Sequence, residues 1–267
     1  MENILLPSKM TFQDGDIAHE QIMTIEPLHH GYGTTIGNAL RRVMLSSLEG
    51  SAVTDVKIKG VQHEFSPVTG VKEDALEIIM NLKALRLKVH SDESVNLSLS
   101  ITGKEGVIKA SDIEANADVE MIDPDAVICT MTDKSVTLDM NLVVARGRGF
   151  MPTEKRDDTG GEIGMMAIDA IFSPVLNVGL TVENTRVGEI TNYDKLIMQI
   201  TTDGSITPQE AVAQATKVIM NHFNWVENQF AHSSIMEAAM QNNEASSEAK
   251  DVETPVETSE ETPEDDE

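Results

Sequence analysis

Three features of the sequence predict an α+β fold in which most strands are antiparallel. Apolar and polar residues alternate over residues 95–101 and 136–144, which is typical of strands with one face in solvent. Apolar residues recur at helical spacing over residues 36–47, 71–85 and 212–230. Strands and helices do not alternate regularly, which argues against a parallel α/β fold.

The first extended segment, residues 16–26, leads into a glycine-bracketed turn and a helix. Thr34 or Thr35 is placed to cap the first free amides of that helix. Successive helical residues turn by about 100°. One face therefore carries Ile36, Leu40, Val43, Met44 and Ser47, and the opposite face carries Asn38, Arg42, Leu45 and Glu49. Apolar Leu45 beside Arg42 is unusual for a solvated face. We predict a helix with one face for its own core and one for a partner, the alternative being a solvated basic pair at Arg41 and Arg42.

The middle of the chain continues in the order strand, loop, helix and strands. A half-buried strand is expected over residues 53–59, a loop over 63–67 and a helix over 71–85. Glu73 and Asp74 lie in the first turn of that helix, where the dipole favours negative charge. Shorter strands are expected at 119–122 and 126–131, a mobile polar loop at 155–161, and two further strands at 180–187 and 196–201.

The last helix has a clear start. Thr207, Pro208 and Glu210 form a capping box with proline at the first helical position. The apolar positions then continue through Val212, Ala215, Ile219, Phe223, Val226 and Phe230, and the helix could extend to about residue 241. Beyond Asn242 the sequence is rich in Glu, Ser, Thr and Pro, so we expect an acidic, disordered tail.

Composition narrows the function classes. The chain has 267 residues with 45 acidic and 20 basic ones, a formal charge of −25. That balance argues against a protein that grips nucleic acid with its own surface, since phosphate binding needs clustered Lys and Arg. Cys129 is the only cysteine, which excludes an intrachain disulfide and a cysteine-based metal cluster. No signal peptide or apolar membrane span is recognisable, so we expect a cytoplasmic protein without membrane contact.

Candidate chemistry is sparse. His29-His30 and His63-Glu64 could supply ligands or acid–base groups, but no third residue has a recognisable metal-ligand spacing, so turn and loop positions are favoured. Cys129 lies in an apolar run and is expected to be a buried, inert thiol. The segment Arg146-Gly147-Arg148-Gly149-Phe150 could contact phosphate, although a turn presenting Arg to a protein carboxylate is favoured in so acidic a chain. We therefore expect no catalytic residue, cofactor or metal in this chain.

The first helix also carries the longest family signature. Residues 31–47, with Gly37-Asn38-Ala39-Leu40-Arg41-Arg42 at their centre, closely resemble a segment near the start of the bacterial RNA polymerase alpha subunit. Further blocks resemble that family in the same order: 63–66 with 70–74, 82–83, 146–150, 172–175 with 182–187, 194–196, 202–204 and 207–211. The resemblance covers residues from about 10 to about 230.

The resemblance implies a discontinuous arrangement of domains. A dimerisation domain of sheet and helices would comprise residues 1–50 and 172–232. A mainly antiparallel β domain, residues 51–171, would be inserted in it and contact the large subunits. Residues 233–267 would be a helix extension and the acidic tail.

The resemblance also implies a non-catalytic, homodimeric platform for transcription. One copy would hold the beta subunit and the other beta-prime, with omega and sigma in the assembled nucleotidyltransferase and magnesium in its catalytic subunits. Residues matching the beta-contacting motifs are Asn38, Arg42, Leu45, His63, Glu64, Phe65, Ser66, Gly70, Val71, Glu73 and Asp74. Dimer contacts would come from Ile36, Leu40, Val43, Val212, Ala215, Ile219 and Phe223, and beta-prime contacts from Ser173, Pro174, Glu183 and Arg186.

The C-terminal part departs from the family pattern. Family members usually continue into a small helical domain that binds upstream promoter DNA, and nothing after residue 242 is expected to fold into one. We therefore expect no upstream-element DNA binding. A free-standing acidic dimeric binding protein or chaperone is the alternative to an assembly subunit.

Overall fold

The computed structural model describes residues 4–156, 164–188 and 190–248, with side chains described as far as Phe230. Residues 1–219 form one compact unit, and a second unit begins at Met220. The strands are β1 (Lys9–Asp14), β2 (Glu20–Leu28), β3 (Glu49–Ile58), β4 (Leu87–Val89), β5 (Val95–Thr102), β6 (Gly106–Lys109), β7 (Val119–Met121), β8 (Val127–Met131), β9 (Thr137–Arg148), β10 (Phe150–Met151), β11 (Met165–Ala167), β12 (Ala170–Ile171), β13 (Val175–Val187) and β14 (Ile190–Thr202). The helices are α1 (Tyr32–Ser46), α2 (Ala75–Ala84) and α3 (Pro208–Glu248).

All strand pairs are antiparallel, which confirms the predicted α+β class. One four-stranded sheet has the order β1-β2-β14-β13, and another has the order β11-β3-β9-β5. Three two-stranded pairs, β10-β12, β4-β7 and β6-β8, complete the topology. Because β2 pairs with β14, the two ends of the first unit meet in one sheet.

Buried apolar side chains divide into two main clusters. One cluster draws its members from residues 53–168 and packs α2 against the strands of the inner segment. The other combines residues 23–48 with residues 175–215, and packs α1 and the start of α3 against the first sheet. Ala52, Ala170 and Phe172 form a small third cluster where the chain passes between the two segments. The assignment of these segments to separate domains stays a prediction.

Several predicted boundaries are wrong. The strand predicted over residues 16–26 begins later, as β2 at Glu20, and strand β1 before it was not predicted. The buried carboxylate of Glu20 holds the turn between β1 and β2 by accepting the amide of Asp16. Helix α1 begins at Tyr32 with Gly31 as its N-cap, and a glycine has no side chain to accept the first amides. The hydroxyl of Thr35 donates back to the carbonyl of Gly31, so the predicted threonine cap is wrong.

Helix α2 starts four residues later than predicted because the preceding residues bond to β8. The amide of Lys72 donates to the carbonyl of Thr130 at 2.9 Å, and Val71 bridges to Met131. Asp74 is then the N-cap, and its carboxylate accepts the amide of Glu77 at 2.8 Å.

Helix α3 begins as predicted and runs further. The amide of Glu210 donates to the hydroxyl of Thr207, and the carboxylate of Glu210 accepts the amide of Thr207, which confirms the capping box. The helix continues to Glu248, beyond the end expected near residue 241. The predictions for residues 249–267, and for most of the loop over residues 155–161, lie outside the described residues.

Candidate functional site

Helix α1 lies directly on strands β13 and β14 because glycines face the sheet. A β-carbon at position 37 would lie 2.5 Å from Leu180 Cδ1 and 2.9 Å from Leu196 Cδ1. Gly33 and Gly37 are both buried, one turn apart on the same face. The glycines therefore permit a close approach that a larger residue would prevent.

The outer face of α1 is polar and unpartnered within the described chain. Asn38, Arg41 and Arg42 are exposed, and among the described residues no carboxylate lies within ion-pair distance of either guanidinium. Leu45 is half-buried against the chain's own core, so this face is less apolar than the sequence pattern suggested. The structure leaves two arginines available to a partner.

The residues predicted at the dimer interface fall into three groups. Leu40, Val212 and Ala215 are buried in the chain's own core, with at most 7% exposure, and cannot offer surface to a second copy. Ile36, Val43 and Ile219 are half-buried against the same core. Phe223 is 68% exposed.

Phe223 is one of several exposed apolar side chains along α3. Met220, Trp225, Val226 and Phe230 are exposed on the same helix, with fractions between 44% and 73%. By their spacing Met220, Phe223, Val226 and Phe230 share one side of the helix, whereas Trp225 lies on the other side. Large apolar side chains exposed on one side mark an interaction site.

Residues 63–74 comprise an exposed loop, residues 63–66, and a segment that hydrogen-bonds beside β8, residues 70–74. The amide of Ser66 donates to the carbonyl of His63, closing a turn that leaves Phe65 71% exposed. The hydroxyl of Ser66 lies 3.0 Å from Nδ1 of His63, and Glu64 is exposed beside it. The loop thus presents an aromatic ring to its surroundings.

Gly70, Val71 and Glu73 hold the second part of this block beside β8. Gly70 has a φ of +74°, and a β-carbon there would meet Val136 at 2.9 Å. Its carbonyl accepts the amide of Thr132, while the carboxylate of Glu73 accepts the amide of Thr130 at 2.7 Å. Gly70, Val71, Glu73 and the capping Asp74 therefore have structural roles in holding the loop and α2 to β8.

The four residues predicted to meet beta-prime do not form one patch. Pro174 is buried, and its carbonyl accepts the amide of Asp203 at 3.0 Å. Ser173 donates to the carbonyl of Leu45 at 3.3 Å and so ties this segment to the end of α1. Glu183 and Arg186 are exposed on β13, where Glu183 pairs with Lys195 at 3.5 Å and Arg186 donates to the carbonyl of Gly188.

The arginines of the Arg146–Phe150 segment form ion pairs within the chain. Arg146 pairs with Asp92 at 2.7 Å and with Glu49 at 2.9 Å, and Arg148 also pairs with Glu49. The hydrogen bond from Arg148, supported by Arg146, holds the pKa of Glu49 below its ordinary value. The predicted pairing of arginine with protein carboxylates is confirmed, although the arginines lie on strand β9 rather than in a turn.

One exposed apolar surface was missed. Leu76 and Met80 lie one turn apart on the outer side of α2, and a groove of about 200 Å³ runs between them and Asp169. Lys83 pairs with Asp169 at 3.1 Å and lies 5.8 Å from the centre of the Phe150 ring. The amide of Thr153, together with Lys83, holds the pKa of Asp169 low. The i, i+4 spacing of Leu76 and Met80 was the signal in the sequence.

The described residues supply neither a metal cluster nor a reactive thiol. Among the described residues no cluster of three or more His, Cys, Asp or Glu side chains could hold a metal ion. Cys129 is fully buried, and burial, with the negative charge of Glu73, raises the pKa of its thiol to about 12. A thiol of that kind is a poor nucleophile, as predicted. In the described part of the chain, no helix is long and apolar enough to cross a membrane.

Comparison with known proteins agrees with the resemblance found in the sequence. Residues 56–173 match the family described as the RNA polymerase Rpb3/RpoA insert domain. The DNA-directed RNA polymerase subunit alpha of Alkaliphilus oremlandii is 53% identical over 201 residues, which cover 75% of this chain and 63% of the relative. That of Carboxydothermus hydrogenoformans is 52% identical over 198 residues, covering 74% of this chain and 63% of the relative.

Coverage of a third relative is larger. The alpha subunit of Alkaliphilus metalliredigens is 47% identical over 218 residues, which cover 82% of this chain and 69% of the relative. The chain thus spans about two thirds of the length of the curated relatives it matches. Identity of this extent, together with the matched insert domain, shows that the chain belongs to the family of DNA-directed RNA polymerase alpha subunits.

Proposed function

We propose that this chain is a non-catalytic assembly subunit of DNA-directed RNA polymerase. A homodimer would hold the beta subunit through one copy and beta-prime through the other, with omega and sigma joining the complete enzyme. Family membership supports this function, and the observation that carries it within the chain is the outer face of α1. Arg41 and Arg42 are exposed on this face of a helix that packs closely on the sheet, and such arginines are suited to binding a partner's carboxylates.

Dimerisation is proposed to use the exposed apolar side chains of α3. Phe223 and Phe230 are seven residues apart, so they lie on one side of the helix, and they are the largest apolar side chains there. Burying aromatic surface between two copies would contribute most of the association energy. Leu40, Val212 and Ala215 are buried in the chain's own core, and we assign them no contact with the second copy.

Beta capture is proposed to depend on Arg42 together with the exposed loop at Phe65. The experiment is co-purification of the beta subunit with the tagged full chain, comparing the wild type with Arg42→Ala and Lys134→Ala. Lys134 is an exposed lysine paired with Glu105 at 3.3 Å, and it provides a matched loss of one surface charge. Arg42→Ala should leave the dimer intact and weaken beta capture by roughly 1.5–3 kcal/mol, as expected for a buried charged hydrogen bond.

The outcomes separate the candidate functions. Equal recovery of beta by all three proteins would overturn the role of Arg42. Elution of the wild-type chain from a native lysate as a small free dimer, without beta or beta-prime, would overturn the assembly function and favour a free-standing binding protein.

A further inference from the structure

The N-terminus of α1 is closed by a carboxylate from a distant strand. Asp194, on β14, accepts the amide of Gly31 at 2.9 Å and the amide of Gly33 at 3.0 Å, both on Oδ2. Its other oxygen, Oδ1, lies 3.6 Å from Nδ1 of His30. Asp194 is 4% exposed, and its hydrogen bond with Gly33 is buried, whereas the one with Gly31 is partly buried.

The local sequence of α1 cannot supply this cap. Gly31 occupies the N-cap with a φ of 84° and has no side chain that could accept an amide of the first turn. The amide of Tyr32 donates to the carbonyl of His29 at 2.9 Å, and the amide of Gly33 donates to Asp194. The left-handed turn at Gly31 points the amides of residues 31 and 33 at one place and forms a concave anion site. A carboxylate there gains charge-assisted hydrogen bonds and a favourable interaction with the helix dipole.

The fit between Gly33 and Asp194 is close. A β-carbon at position 33 would lie 3.0 Å from Cβ and Oδ2 of Asp194 and 3.0 Å from Val182 Cγ1. The pairing between β2 and β14 shifts register between the pairs Asp194–Leu28 and Leu196–Ile25. Such irregularities redirect a side chain out of the strand's regular alternation.

We propose that Asp194 is a positioning residue for beta capture: it fixes the start and direction of α1, and thereby the place of Arg42. Arg42 lies nine residues beyond Gly33, or about 14 Å along the helix. A change of axis at the capped end is therefore carried to the exposed arginine. The proposal rests on the assembly function proposed above.

The test uses two readouts on the full chain. Amide hydrogen exchange at Gly31 and Gly33 reports the cap, and binding of the purified RNA polymerase beta subunit reports capture. The variants are Asp194→Ala and the conservative Asp194→Asn, whose amide oxygen can still accept both bonds. Asp133→Ala is the matched control, because Asp133 also accepts a backbone amide, that of Ser135 at 2.8 Å, in a turn of the insert.

Protection and capture should fall in the same order: wild type first, then Asp194→Asn, then Asp194→Ala. Asp194→Ala should increase exchange at the two amides and weaken beta binding, each by about 10-fold or more, given the strength of charge-assisted bonds. Asp133→Ala should match the wild type in both readouts. If Asp194→Ala does not fold, Asp194→Asn still provides a variant with a weakened cap. Gly33→Ala disturbs the same contact from the helix side, because its β-carbon would lie 3.0 Å from Asp194.

Two results would overturn the proposal. One is unchanged protection of Gly31 and Gly33 in Asp194→Ala. The other is lost protection with beta binding equal to the wild type, since the cap would then have no bearing on capture. Failure of the wild-type chain to bind beta would instead overturn the assembly function, and amide exchange would still decide whether Asp194 fixes α1.

Discussion

The ring of Phe172 fills the space beside Gly147 that a β-carbon would need. Such a carbon would lie 2.7 Å from both Cδ2 and Cε2 of the ring. Phe172 is 4% exposed and packs with Ala52 and Ala170 where the chain leaves the insert. The glycine in the Arg146–Phe150 segment is thus required by packing within the chain.

Gly147→Ala should therefore destabilise the fold. The added methyl group must displace a buried ring, and overpacking of this kind costs about 1–3 kcal/mol. Urea unfolding of the full chain measures the change. Gly179→Ala is the control, because a β-carbon there would meet its nearest atom at an ordinary 3.4 Å. Equal destabilisation by both substitutions would contradict the packing explanation.

Asp74→Ala should weaken α2. The substitution removes the acceptor for the amide of Glu77, and loss of an N-cap costs about 0.5–2 kcal/mol. Urea unfolding again provides the measurement. Asp74→Asn keeps an acceptor and should retain most of the stability. A stability loss as large in Asp74→Asn as in Asp74→Ala would show that capping is not the cause.

Cys129 should react with a thiol reagent only after unfolding. The thiol is fully buried, and its pKa of about 12 leaves almost no thiolate near neutral pH. Thr132→Cys in a Cys129→Ser background places an exposed cysteine three residues away for comparison. Rapid labelling of native Cys129, at the rate of the exposed cysteine, would contradict the buried position.

Stability should fall in acid partly because of Glu20. The hydrogen bond from Gln199, with those from Thr201 and Asp16, lowers the pKa of Glu20 from 4.5, although burial acts in the opposite direction. A carboxyl with a lowered folded-state pKa stabilises the fold above its unfolded-state pKa, and this contribution is lost as pH falls through the folded-state value.

Glu20→Gln therefore should cost stability near neutral pH and progressively less below about pH 4.5, the unfolded-state value. Urea midpoints measured across this range for the wild type and the variant provide the test. A difference between the two proteins that stays constant down to about pH 3 would show that the charge of Glu20 is not involved.

The sequence predicted elements whose signals are local. The capping box at Thr207 and Glu210 and the long alternations of β5 and β9 each depend on neighbouring residues, and the structure contains them. The burial of Cys129 followed from its apolar surroundings in the same way.

The remainder depended on contacts between distant residues. Asp194 caps α1 from more than 160 residues away in the sequence, and no pattern of neighbouring residues predicts this contact. The start of α2 was set too early because Lys72 bonds to Thr130 instead of joining the helix. Leu40 and Val212 were placed at an interface, whereas the shared sheet buries them within one chain.

The pairing of β2 with β14 also constrains the order in which the chain can fold during synthesis. The inner cluster over residues 53–168 is complete in sequence before β13 and β14 leave the ribosome. Strand β2 and helix α1 are synthesised early, and β13 and β14, against which they pair and pack, are synthesised much later. Since chain elongation proceeds at roughly 5–20 residues per second, α1 spends roughly 8–30 s without its sheet. Its outer face is therefore fixed in place only after the C-terminal strands have been synthesised.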